Sequence, residues 1–208
     1  KGVSKDTSST RGGTICLTGS NVTVSQSSFI SCSAWIASGA ETSKVDGGAL
    51  FITGNDVNIT ECEFEDCNAS HDGGAIYIIG NDTNLLNCSF KDVSAYNGGA
   101  IYVAGLNADI HNSEFEINTA AVRGGSIYVE GDNATISNST FVTTDALIGG
   151  AIYVSGDDIV VDNSSFKYNV GSNADASGGS GGAVYIDGNS ATVRDSDFTH
   201  ETAVNYGG

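Results

Sequence analysis

Gly98-Gly99-Ala100-Ile101-Tyr102-Val103-Ala104-Gly105-Leu106-Asn107-Ala108-Asp109-Ile110-His111-Asn112-Ser113-Glu114-Phe115 decides the fold. The stretch opens on two glycines, alternates apolar with polar residues, turns at Gly105, alternates again and closes on Phe115. The same order returns along the chain. In-register glycine pairs begin at residues 12, 47, 73, 98, 124, 149, 181 and 207, and Phe29, Phe64, Phe90, Phe115, Phe141, Phe166 and Phe198 each stand 17 positions after one of them. The steps between pairs are 35, 26, 25, 26, 25, 32 and 26 residues, so all length variation falls between the Phe and the next pair. A rigid unit joined by variable connections is a structural repeat.

Such a unit cannot bury its own apolar face. Short β-branched runs are broken by Gly, Asn or Asp every 8 to 10 residues, and no helical period persists. A coil of about 25 to 26 residues with three short strands predicts an all-β, single-stranded parallel β-helix, each coil stacked about 4.8 Å above the last. About eight coils make a rod of roughly 38 Å, right-handed because parallel crossovers are. The absence of Pro from 208 residues suits a ladder in which every N–H is needed. Residues 1–208 read as one solenoid domain, a fragment of a longer surface protein, with inserts at 33–46 and 170–180 on one corner.

Parity sorts the side chains. In the first strand the residue two after Tyr is usually polar (Thr53, Glu130, Ser155, Asp187), so Tyr faces outward and its Ile and Val neighbours inward. In the second strand Val57/Ile59, Ala108/Ile110, Ala134/Ile136 and Ile159/Val161 point inward. The next inward pair is Ser or Cys followed by Phe, three residues on, which requires a bend between strands two and three. These sides predict a three-sided core of Ile, Val and Phe columns. The glycine seven residues into each unit, such as Gly54 or Gly131, reads as a corner with positive φ.

A formal charge of −17 with only 8 Lys and Arg excludes the basic stripe that nucleic acid or an anionic membrane needs. No apolar run of membrane-spanning length is present, so no direct membrane insertion is expected. Sequons at Asn21, Asn58, Asn68, Asn81, Asn87, Asn133, Asn138 and Asn163 agree with an extracellular location. Cys62 and Cys88 share one repeat position, Cys32 and Cys67 another. Their parallel Cβ vectors suit buried thiol stacks better than disulfides.

Gly-Gly-Ala-Ile at residues 73–76, 98–101 and 149–152, with variants at 47–50, 124–127 and 181–184, resembles the repeat of chlamydial polymorphic outer membrane proteins. It is also similar to adhesin-like proteins of methanogenic archaea. The family's second motif, Phe-x-x-Asn, stands at Phe115–Asn118 and Phe166–Asn169, while Cys32, Cys67, Val93, Thr144 and Glu201 fill the Asn place elsewhere. The resemblance implies a cell-surface adhesin on a right-handed β-helix. Host or microbial surface glycans or proteins are the expected partners, and the segment is expected to be monomeric and without catalysis.

Polysaccharide lyases and hydrolases use the same scaffold. Here the candidate acids Asp56, Asp82, Asp132, Asp157 and Asp158 all lie in the turn after the glycine, where Asp bonds its own backbone. His71, His111 and His200 occupy different repeat positions and read as solvated surface residues, so neither a metal site nor a cofactor is expected. The candidate contact surface is an outward aromatic ladder of Phe51, Tyr77, Tyr102, Tyr128, Tyr153 and Tyr185, with Trp35 in the first insert beside it. Two other readings stand: the rings stack to stabilise the sheet, or a neighbouring loop covers them.

Overall fold

The computed structural model describes residues 3–4, 10–35, 44–172 and 178–207. Each strand pairs in parallel with its counterparts one coil away, giving sheets of seven, seven, seven and eight strands and a two-stranded ribbon. One coil shows the pattern. Ile101–Val103 belongs to a tyrosine sheet, Ala108–His111 to a middle sheet, Glu114–Glu116 to a phenylalanine sheet and Thr119–Arg123 to a short-strand sheet. Tyr102 pairs with Tyr77 and Tyr128, and Phe115 with Phe90 and Phe141. The product is a parallel β-helix, with seven strands in three of its sheets and eight in the fourth among the described residues, against the expected eight or so coils.

Single left-handed residues make the corners. In this coil they are Gly98 (φ 55), Asn107 (φ 59), Asn112 (φ 51) and Ile117 (φ 56). Asn112 separates the inward Ile110 from the inward Ser113, which is the bend that their odd spacing demanded. Most of the other non-glycine corner residues are Asn or Asp, which tolerate this conformation, whereas Ile117, Thr143 and Tyr168 are residue types that rarely adopt it. Positive φ at the mid-unit glycine is found only at Gly80 (φ 157) among the described residues, and the expectation is corrected for the others. After Gly54 the left-handed residue is Asp56, and after Gly131 it is Asn133. Gly131 is needed for closeness instead: a Cβ there would meet the Gly105 carbonyl of the neighbouring coil far inside 3.0 Å.

Ile101, Val103, Ile110, Phe115 and their counterparts form one continuous core. The Phe column runs through the rod from Phe29 to Phe198 with ring centroids 4.7–4.9 Å apart and planes within 4°. The strands that line this core come from three sheets, as expected. A fourth, the short-strand sheet, was not expected: Ala34 and Ala69 pack with Val45 in a separate cluster, and these alanines, with the buried Ala120 and Ala146, are too small to signal a strand.

Buried polar side chains mend the ladder where corners interrupt it. The Ser113 hydroxyl donates to the His111 carbonyl at 3.0 Å and accepts from the Cys88 N–H at 3.1 Å. Asn118 accepts from the Val93 N–H at 3.1 Å and donates to the Phe90 carbonyl at 3.2 Å and the Ser126 hydroxyl at 3.3 Å. That is the physical content of Phe-x-x-Asn: one amide ties adjacent coils. Asn118→Ala is expected to lower the unfolding free energy by about 2–4 kcal/mol, read by urea denaturation, because it strips buried backbone groups of partners. All five cysteines are free, with Cys32, Cys62, Cys67 and Cys88 buried as expected; burial pushes the Cys88 thiol up to about 12.

Candidate functional site

The segment before each glycine pair positions the site. Its last residues, Asp46, Asp72, Asn97, Arg123, Ile148, Ser180 and Tyr206, stack one above another. Their carbonyls accept from the first glycine of the preceding coil's pair, as in Gly73 N–H to Asn97 O (3.0 Å) and Gly98 N–H to Arg123 O (2.8 Å). Asp72 bridges to Asn97, and Arg123, Ile148, Ser180 and Tyr206 bridge in succession, so these segments form a flange along the tyrosine sheet. The glycine in left-handed conformation then turns the chain back towards the strand whose aromatic residue stands four positions on.

The aromatic ladder exists as a column and not as an open face. Neighbouring rings stack with centroids 4.6–5.5 Å apart from Phe51 to Tyr185. Phe51 is buried, and Tyr102, Tyr128 and Tyr153 are 6%, 8% and 6% exposed, with Tyr77 and Tyr185 half-buried. The expectation of an exposed aromatic row is therefore corrected. Ile148 packs against the ladder, and the Arg123 guanidinium lies 5.4 Å from the centre of the Tyr153 ring. The phenols find polar neighbours too: Tyr102 bonds the Glu130 carboxylate and Tyr128 the Ser155 side chain. Burial raises the Tyr102 and Tyr128 phenols above their ordinary value.

Trp35 is 56% exposed. Residues 36–43 of the first insert and 173–177 of the second lie outside the described residues.

At one end of the flange lies a cluster that repeat positions alone did not reveal. His71 Nδ1 is 2.8 Å from Asp46 Oδ1 and 2.9 Å from Asp72 Oδ2. Asp46 Oδ1 also accepts from the Asp72 N–H at 3.1 Å, and Asp72 Oδ1 accepts from Asn97 Nδ2 at 2.9 Å. The ligand atoms of Asp46, His71 and Asp72 all lie within 4.8 Å of one another. His71 is thus no solvated surface residue: it is 20% exposed, and Tyr96 stacks on its ring. His111 instead meets Asn84, and His200 stacks on Tyr168. The readable signal was the polar column before the glycine pairs, Asp46, Asp72, Asn97 and Arg123.

The hydrogen bond to Asp46, then that to Asp72, raises the His71 imidazole from 6.5 to about 9 against the opposing effect of burial. A raised folded-state value stabilises below the unfolded one and is lost as pH rises through the folded one. In chelator-treated buffer the unfolding free energy should fall by on the order of 2 kcal/mol between pH 6.5 and 9, discounted for partial exposure. Urea denaturation across that range checks it, and His71→Asn should flatten the profile.

The turn acids are occupied with structure. Asp132 caps the Asp157 N–H at 2.9 Å, Asp157 caps the Asn189 N–H at 2.7 Å, and Asp82 accepts from Asn107 at 2.8 Å. Asp56, Asp82 and Asp158 are themselves left-handed corner residues.

No curated protein and no solved structure matches the chain. Residues 47–208 match the family model described as the right handed beta helix region. Coil geometry and family agree, and the chain belongs to the right-handed β-helix family.

Proposed function

We propose that this chain is a rigid spacer segment of an extracellular, cell-surface adhesin, monomeric along its rod and without catalysis of its own. The observation that carries the reading is the pair of unbroken aromatic columns, the phenylalanines inside the rod and the tyrosines under the flange, each of which ties successive coils together. The repeat resembles that of surface adhesins, and the turn acids are engaged in capping neighbouring coils. The net charge of −17 keeps nucleic acid outside the proposal. A second reading, in which the segment itself touches a surface glycan or protein, is favoured by the exposure of Trp35.

A glycan and extracellular-protein array tests both, with Trp35→Ala and Tyr102→Ser/Tyr128→Ser beside the parent chain. A folded rod that binds nothing supports the spacer. Binding lost in Trp35→Ala moves the assignment to the second reading. Cleavage of pectin, xylan or host glycans by the parent chain would overturn both.

A further inference from the structure

We propose that Asp46, His71 and Asp72 form a binding site for a divalent transition cation of the zinc type, supported by Asn97. The proposal stands independently of the adhesin reading. It starts from the geometry of three donors: an imidazole nitrogen with carboxylate oxygens at 2.8 and 2.9 Å on either side. One Nδ1–H can point squarely at only one of these oxygens, whereas a cation would serve both carboxylates and the nitrogen together. Zinc takes such N and O ligands at about 2.0–2.2 Å. The imidazole argues against magnesium and calcium, which prefer oxygen alone.

The neighbouring amide supplies a separate observation. Asn97 is 9% exposed and its amide lies against the cluster, with Nδ2 at 2.9 Å from Asp72 Oδ1. That bond fixes one oxygen of Asp72 and leaves the other facing His71, an arrangement typical of the partners that orient metal ligands. The Oδ1 of the same amide is buried with no hydrogen-bond partner. His71 and Asp46 retain 20% and 17% side-chain exposure, so an ion has a way in.

The cation would join two coils. Asp46 pairs through its own short strand Val45–Asp46 with Thr10–Arg11, while His71 and Asp72 belong to the next turn of the flange. Binding would therefore clamp the flange beside Tyr77, at the end of the ladder nearest the first insert.

The test uses the whole chain, stripped with EDTA and dialysed. It is titrated with ZnCl2 by calorimetry and with CoCl2 by visible absorption, and its thermal midpoint is followed. The expected result is one equivalent bound, a raised midpoint and a cobalt spectrum of nitrogen and oxygen ligation. His71→Ala and Asp72→Asn should each weaken binding more than tenfold, and Asn97→Ala by about tenfold, the scale of losing an orienting partner. Glu114→Gln, on the outer face of the phenylalanine sheet, should change nothing. If His71→Ala does not fold, His71→Gln, which can still bond an aspartate, takes its place. Absence of one-equivalent binding overturns the site, as does binding that survives His71→Ala or His71→Gln and Asp72→Asn unchanged.

Discussion

Gly131→Ala is expected to destabilise the rod by on the order of 4–5 kcal/mol, while Gly19→Ala, at the same repeat position, changes it by less than about 0.5 kcal/mol. The contrast follows from stacking. A Cβ on Gly131 would meet the carbonyl oxygen and carbon of Gly105 and the Leu106 N–H, all backbone and all inside 3.0 Å, whereas one on Gly19 meets nothing within 4 Å. Backbone cannot rotate aside as a side chain can, so the neighbouring coils must separate and their ladder hydrogen bonds lengthen. A solenoid's stability is a sum of neighbour interfaces, so the damage concentrates at one junction. Urea denaturation followed by circular dichroism should show the Gly131 variant unfolding earlier and less cooperatively. Equal effects at the two sites would mean that this glycine serves turn conformation and not coil approach.

Phe115→Ala carries the second largest expected effect, a loss of about 3–5 kcal/mol. Phe115 is buried, and its ring lies between Phe90 at 4.9 Å and Phe141 at 4.7 Å. Removing it opens a cavity that rigid coils above and below cannot close, and breaks two stacking contacts. Phe198 belongs to the same column but is 46% exposed with one stacked neighbour, so Phe198→Ala should cost about 1 kcal/mol. Thermal and urea midpoints of the two variants, measured side by side, check the ratio.

These effects track what could be read in advance. The inward Ile101, Val103, Ile110 and Phe115 were legible because a strand alternates with period two and the repeat supplies the coil length. The corner between Ile110 and Ser113 was legible as an odd step in that alternation, and Asn112 fills it. The fourth sheet was not legible. Ala34, Ala69, Ala120 and Ala146 are buried but carry almost no β signal. The glycine corner was misplaced because Gly131-Asp132-Asn133 offers two residue types suited to positive φ, and sequence cannot tell close approach from dihedral freedom.

The candidate site divides the same way. Tyr102 and Tyr128 were correctly placed outside the core, but parity says only which side of a sheet a residue occupies and not what lies over it. The cover comes from Arg123 and Ile148, which follow from where the connection turns back at the glycine pair. Asp46, His71 and Asp72 meet because Asp46 and Asp72 precede successive glycine pairs and are brought one coil apart. His71 was considered against the other histidines, whereas its partners stood in the polar column next to it.

The tyrosine ladder lies stacked beneath a flange and is not an open contact face. Hydroxyl-radical footprinting with residue-level mass spectrometry tests it most directly. Trp35 and the exposed Tyr96, Tyr168 and Tyr206 should oxidise several-fold faster than Tyr102, Tyr128 and Tyr153 in the folded chain, with the difference vanishing in urea. Ladder tyrosines that oxidise as fast as Tyr96 in the folded chain would contradict the flange and return the ladder to the surface.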